Sequence, residues 1–157
     1  AGHEATVHAM AIAVKTLLEQ DTAKAALAPE AIDQTVEETL RFDPPLHMFT
    51  RYVYEDVDVG PHKFSRGDRI ACLLAAANRD PQRWEDPDQF QPQRPKKINA
   101  SFGAGAHFCI GAPLGRLELQ TSLPILFERL PNLALAQEPK YAPIYHFRGL
   151  DGLMLKR

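Results

Sequence analysis

The sequence predicts a mainly α chain with small antiparallel β-sheets, an α+β class, and three observations point to it. Apolar residues recur at helical spacing in separate stretches: Val7, Met10, Val14, Leu17 and Leu18; then Ile32, Val36 and Leu40; then Leu114, Leu117, Leu119, Leu123 and Leu126. Between the second and third stretches, Thr50 to Leu74 is rich in β-branched and aromatic residues and broken by turn residues. Short apolar segments separated by Pro, Asn and Gly close the chain. The 157 residues suffice for one core, and residues 1–157 read as a unit without internal boundary, repeat or low-complexity segment.

Taken in order, the first helix begins without a cap, since no Ser, Thr, Asp or Asn precedes its pattern. An uncapped start reads as a helix that continues before Ala1. It ends near Leu18, with Asp21 and Thr22 offering a cap to a short helix that reaches Leu27. Ala28-Pro29-Glu30 is expected to open the next helix, with Pro in its first turn, and Phe42-Asp-Pro-Pro45 to stop it. On that helix Glu38 and Arg41 lie three apart, a spacing that on a surface is worth only about 0.2–0.5 kcal/mol. Thr50 to Val59, His62 to Phe64 and Ile70 to Leu74 read as the strands of one antiparallel sheet, turned at Gly60-Pro61 and at Ser65 to Asp68. Cys72 falls in an apolar run and is expected as a buried thiol. An irregular loop is expected from Arg83 to Asn99, anchored by Trp84 and Phe90. The last long helix should kink at Pro124 and end near Leu130. Leu133 to Ala136, Ile144 to Phe147 and Leu153 to Leu155 read as short strands, with Gly149 and Gly152 in the final turn.

The chemistry concentrates in Ser101-Phe-Gly-Ala-Gly-Ala-His-Phe-Cys-Ile-Gly111. Gly103, Gly105 and Gly111 permit positive φ or a close backbone approach to something flat. Cys109 stands just ahead of the long helix, where backbone amides and the positive end of the helix dipole stabilise a thiolate. A thiolate on such a loop is suited to serve as the axial ligand of a haem iron. A structural cysteine in a tight turn is the plain alternative.

Phe102-x-x-Gly105-x-His107-x-Cys109-x-Gly111 resembles the cysteine-ligand loop of cytochromes P450. Three more segments match that family's order. Ala1-Gly-His-Glu-Ala-Thr6 resembles the middle of the long helix over the distal haem face, Glu38-x-x-Arg41 resembles a buried ion-pair motif, and Phe90-Gln-Pro-Gln-Arg94 resembles the segment that adds a second Arg to it. The resemblance implies the C-terminal part of the cytochrome P450 fold over residues 1–157, with the N-terminal half missing and a short helix at Ala77 to Pro81 after the sheet. It implies haem b (iron protoporphyrin IX) held by Cys109, its propionates bound by Arg51 and His107, and Phe102, Gly103 and Gly111 around the ligand. It implies Glu4 and Thr6 as the acid and alcohol of proton delivery. The family usually has Thr where this chain has Ala5, and Thr6 lies about 100° further round a helix. The trio of Glu38, Arg41 and Arg94 is implied to be structural. A small organic substrate and a ferredoxin-type or flavoprotein electron donor are the implied partners of the parent protein. The basic cluster Arg94-Pro-Lys-Lys97, with Arg116 helping, offers a face to an acidic donor. The same residues would also serve as a solvated carboxylate, a surface Arg, a loop-capping imidazole and a solvated basic face.

Other classes fit less well. Eighteen Lys and Arg against 20 Asp and Glu give no electrostatic case for nucleic acid or an anionic membrane. The longest apolar run, Ile70 to Ala77, is too short to span a bilayer, and no basic region precedes an apolar one at the start. Two cysteines make no disulfide framework, and a thiolate ligand favours a reducing, cytoplasmic setting. Gly103-x-Gly105 lacks the third Gly and strand–helix context of a dinucleotide loop, zinc would need further Cys or His ligands, and no local signature marks a Cys–His nucleophile. Three readings remain: a haem-thiolate monooxygenase portion, a haem-binding fragment without turnover, and an apo scaffold.

Overall fold

The computed structural model describes residues 2–144 and 146–157, with only the backbone of Lys24. Three helices build the centre. α1 (Glu4–Glu19) buries Ala9, Ile12, Ala13, Val14, Thr16 and Leu17, while Val7 is exposed. The buried face is therefore rotated from the expected Val7–Met10 line toward the small residues Ala9 and Ala13. Small side chains let α1 approach α3 (Ile32–Phe42) and α5 (Ala112–Arg129) closely. α3 buries Val36 and Leu40 on its apolar face, but also Thr35, Glu38, Thr39 and Arg41 on the others. Leu119 and Leu123 of α5, with Leu133 and Phe90, complete the core.

Several boundaries differ from the sequence expectation. α3 starts at Ile32, because Ala28 to Ala31 form a turn in which the Ala31 and Ile32 amides donate to the Ala28 carbonyl. Thr22 precedes α2 (Ala23–Ala26) without a side-chain cap, and its hydroxyl is buried without a partner. The single expected sheet is two ladders. β1 (Met48–Tyr52) pairs with β4 (Arg69–Leu73), and β2 (Val57–Val59) pairs with β3 (His62–Phe64), both antiparallel. Between β1 and β2 the Asp56 carboxylate accepts from the Arg66 amide, which pulls the chain out of a straight strand. α4 (Leu74–Ala77) begins where a strand was expected to end, and Asn78 caps it rather than starting a later helix.

Cys72 is exposed, not buried, because neither face of β4 is covered: Arg69, Ala71 and Leu73 are exposed as well. Trp84 and Phe90 are buried anchors of the irregular segment. α5 runs as one helix across Pro124 with Pro113 in its first turn. At the end, β5 (Ala134–Leu135) pairs with β8 (Leu155–Lys156), and β6 (Lys140–Tyr141) with β7 (Leu150–Gly152). The strand expected at Ile144 to Phe147 reduces, among the described residues, to an isolated bridge between Phe147 and Leu46, and Tyr145 lies outside them. Gly152 lies in β7 rather than in a turn.

Candidate functional site

The loop before α5 is built from positive-φ glycines. Gly103 (φ 72°) and Gly105 (φ 71°) occupy the left-handed region that other residues avoid. At Gly103 a Cβ would also stand 3.0 Å from the Phe49 ring of β1. Gly111, by contrast, has φ −80° and is the N-cap of α5, so no positive φ requires it. The turn Gly105–His107 is a single 3-10 turn, closed by the Phe108 amide donating to the Gly105 carbonyl. The Cys109 amide donates to the Phe102 carbonyl at 3.0 Å, and the Cys109 carbonyl accepts from Ala112 of α5 at 3.2 Å. These bonds hold Cys109, whose side chain is exposed, two residues before the α5 cap.

Cys109 opens onto a cavity of about 350 Å³. One wall is Gly2 and α1, through Ala5, Thr6 and Ala9; the other is Cys109, Ile110, Gly111 and Gly115, with Leu40, Pro45, Phe102 and Leu119 completing the lining. Both walls carry small side chains, and the lining is apolar except for the Thr6 hydroxyl and the thiol. A flat, apolar group with a soft-ligand requirement fits this slot, as a haem does. A wider groove of about 830 Å³ lies between the C-terminal ends of α1 and α5, but neither cysteine lines it.

The candidate residues do not all converge. Thr6 lines the cavity, whereas Glu4 is exposed and outside the lining. Ala1, the first residue of the matched helix segment, lies outside the described residues. Arg51 is exposed on β1, donates to the Thr50 carbonyl at 3.1 Å and lies over the Phe49 ring at 5.4 Å. Because that ring touches Gly103, Arg51 is brought to the edge of the cysteine loop. His107 is exposed on the 3-10 turn. The Phe102 ring packs near Phe108 and under the Arg116 guanidinium, 4.6 Å away.

Behind the loop, Glu38 is 3% exposed and lies between two guanidiniums. Arg41 donates to it through Nε at 2.7 Å and Nη2 at 2.8 Å, Arg94 through Nε at 3.1 Å to both oxygens, and the Gln91 amide at 2.9 Å. The remaining guanidinium donors reach backbone carbonyls of Asn78, Pro87 and Gln89 from Arg41, and of Glu85, Asp86 and Gln89 from Arg94. Arg94 thus points inward and leaves the basic cluster to Lys96 and Lys97. Of these, Lys96 pairs with Asp33 at 3.0 Å and Lys97 donates to the Arg83 carbonyl at 3.3 Å. Arg116 is drawn to Glu37, which sequence reading passed over because nothing in the neighbouring residues marks a contact 79 positions away.

A second polar cluster joins α3 to the C-terminal segments. Asp43, at the end of α3, accepts from the Tyr141 hydroxyl and from Arg148 Nε at 2.6 Å. Burial, then the hydrogen bond to Asp43, pushes the Tyr141 phenol up from its ordinary value. Burial and the Arg148 charge push the neighbouring His47 imidazole down, against the pull of Asp43. For Lys15, which pairs with Glu19, burial acts downward, and the hydrogen bond to Glu19 with the nearby Tyr141 outweighs it. Among the described residues no group of His, Cys, Asp and Glu is placed to hold a bare metal ion, and no helix is long and apolar enough to cross a membrane.

Comparison with known proteins returns one family. A profile described as Cytochrome P450 matches residues 30–146. The biotin biosynthesis cytochrome P450 of Bacillus subtilis is 39% identical over 156 residues, covering 98% of this chain and 40% of that protein. The cytochrome P450 monooxygenase PikC of Streptomyces venezuelae is 39% identical over 162 residues, covering 99% of this chain and 39% of its own. Among solved structures, P450BioI in complex with an acyl carrier protein carrying hexadec-9Z-enoic acid superposes with TM-score 0.93 at 38% identity, over 98% of this chain and 41% of that one. Tirandamycin C-bound TamI superposes with TM-score 0.94 at 33% identity, over 99% of this chain and 40% of that one. The chain spans about two fifths of the length of the curated relatives it matches. With the profile spanning most of its residues and such relatives matching it almost end to end, the chain belongs to the cytochrome P450 family.

Proposed function

We propose that this chain is the haem-ligand portion of a monooxygenase that acts on a small organic substrate. The observation that carries the reading is Cys109, exposed at the mouth of an apolar slot whose other wall is the small-residue face of α1. Cys109 would hold haem b through its sulfur, and Arg51 and His107 would bind the propionates at the loop's edge. Phe102, Gly103 and Gly111 would shape the loop around the ligand. When bound, the haem supplies the dioxygen chemistry that puts one oxygen atom into the substrate and the other into water.

The chain's own residues account for the rest. The thiolate carries negative charge to the metal, helped by its place ahead of the α5 N-terminus. Thr6 offers a hydroxyl on the distal wall, and Ala5 beside it offers none, so Thr6 is the alcohol that would hold a proton-carrying water. Glu4, outside the slot, would exchange that proton with solvent. Lys96, Lys97 and Arg116 border a groove of about 390 Å³ with Glu37, Phe102 and Phe108; Lys96 and Arg116 are paired with Asp33 and Glu37, so Lys97 is the main positive charge this face would offer an acidic ferredoxin-type or flavoprotein donor. A reducing, cytoplasmic setting keeps the exposed thiol unoxidised.

The openness of the slot supports a second reading, in which the chain alone holds haem without turnover. Ile110, beside the ligand, is 99% exposed. Turnover then requires the remaining part of the parent protein to close the site.

The test is a spectrum of the haem-loaded, reduced, carbon monoxide-bound protein. Cys109 ligation is expected to give the red-shifted Soret band of thiolate-bound haem, and Cys109→Ala is expected to abolish it. An unshifted band in the parent protein, or an unchanged one in the variant, would remove Cys109 from the role.

A further inference from the structure

We infer that Asn78 and Ser101 are positioning residues for the Cys109 loop, joining it to the buried ion-pair trio. Asn78 is 1% exposed and Ser101 8%, so neither side chain exchanges its partners for water. The backbone carbonyl of Asn78 accepts from Arg41 Nη1 at 2.9 Å. Its side chain turns the other way. Oδ1 accepts from the Ala100 amide at 2.7 Å and Nδ2 donates to Ser101 Oγ at 2.9 Å. Ser101 Oγ in turn donates to the Leu40 carbonyl at 2.6 Å, one residue before Arg41. One residue therefore touches the trio with its main chain and the ligand loop with its amide.

The bonds continue toward the sulfur. The Ala100 carbonyl accepts from the Gly103 amide at 2.9 Å, and the Phe102 carbonyl accepts from the Cys109 amide at 3.0 Å. Gly103 has positive φ and is in close contact with Phe49, so residues 100 to 103 have little room to re-register. A second arm holds the same segment from Glu37 of α3. Asn99 Oδ1 accepts from the Ser101 amide at 3.0 Å, and Asn99 Nδ2 donates at 3.2 Å to Glu37, the carboxylate that also holds Arg116 over Phe102. Adjacent glutamates of α3 thus serve different ends: Glu38 fixes the trio, Glu37 the outer arm, and Asn78 with Ser101 closes the gap between them. A loop that carries a ligand keeps its geometry only when such supporting bonds are complete.

The inference deepens the proposed haem reading and rests on it for the role of Cys109, but its first readout needs no haem. Ser101→Ala removes both bonds of the hydroxyl at little cost in volume. In amide hydrogen exchange of the protein without haem, the Gly103 and Cys109 amides are expected to exchange about tenfold faster or more, with the α1 amides around Leu17 unchanged. Ser101→Thr, which keeps the hydroxyl, is expected to restore protection. After haem loading, Ser101→Ala is expected to shift the carbon monoxide spectrum partly toward the unshifted band, while Cys109→Ala shifts it wholly. Asn78→Ala should behave like Ser101→Ala; if it fails to fold, Ser101→Ala alone decides. Wild-type protection at Gly103 and Cys109 in Ser101→Ala, or equal loss across α1, would overturn the inference. If exchange changes as expected but the wild-type protein shows no thiolate-type band, the haem reading fails and the positioning of the loop stands.

Discussion

Glu38 shows how position changes what a pair of charges is worth. The pair Lys15 and Glu19, four apart on α1 at 2.7 Å, keeps part of both side chains in water and contributes about a few tenths of a kcal/mol. Glu38 is enclosed by Arg41 and Arg94, and removing its charge leaves two buried guanidiniums facing each other. Glu38→Gln is therefore expected to lower unfolding free energy by roughly 3–5 kcal/mol, measured by urea denaturation, against about 0.5 kcal/mol or less for Glu19→Gln. A loss for Glu38→Gln no larger than that for Glu19→Gln would mean that the trio does not brace the fold. Cys109 stands out by its Gly-rich loop, while the trio is legible only through its resemblance to family motifs, since Glu38-x-x-Arg41 is weak by spacing alone. Asn78 and Ser101 are legible in neither way: a buried Asn and an exposed one look alike until the segments they join, 37 and 61 positions away, are in place.

At the scale of elements, the helices are legible and their faces less so. The periodicity of α1 locates the helix, but which face turns inward depends on its neighbours. Gly149 is an example of a contact between elements that no local pattern reveals. A Cβ there would lie 2.2 Å from the His8 ring of α1, which packs against Phe147. Gly149→Ala is expected to destabilise by about 1–3 kcal/mol through this overlap. The double variant with His8→Ala should recover most of the loss in thermal melts, and a double variant as unstable as Gly149→Ala would place the strain elsewhere. Strands of two or three residues were the least readable elements. Their existence follows from pairing across the chain, as in β5 with β8, and not from any alternation of their own.

The molecule as a whole joins its C-terminal sheets to the helices through Asp43, Tyr141 and Arg148, and this joint responds to pH. His47 is held below its ordinary value of 6.5, so its folded form favours the neutral ring. The stability this contributes is full above that value and is lost as pH falls through the lower, folded value. Tyr141 is held above its ordinary 10.0, so its contribution is full below that value and is lost as pH rises through the higher, folded one. Urea midpoints across pH are expected to decline at both ends. Tyr141→Phe should flatten the alkaline limb and His47→Gln the acid one; limbs unchanged in these variants would assign the decline to other groups. The residue order alone was enough for the class, the main helices and the cysteine loop, because these depend on periodicity, turn chemistry and a short motif along the chain; the members of the ion-pair trio were legible through the family resemblance. The close approach of α1 to the cysteine, the exposure of Cys72, the split of one expected sheet into two ladders, and the bonds through Asn78 and Ser101 required the folded chain. Each depends on which distant segments share a boundary, and burial and hydrogen-bond partners do not exist until those segments meet.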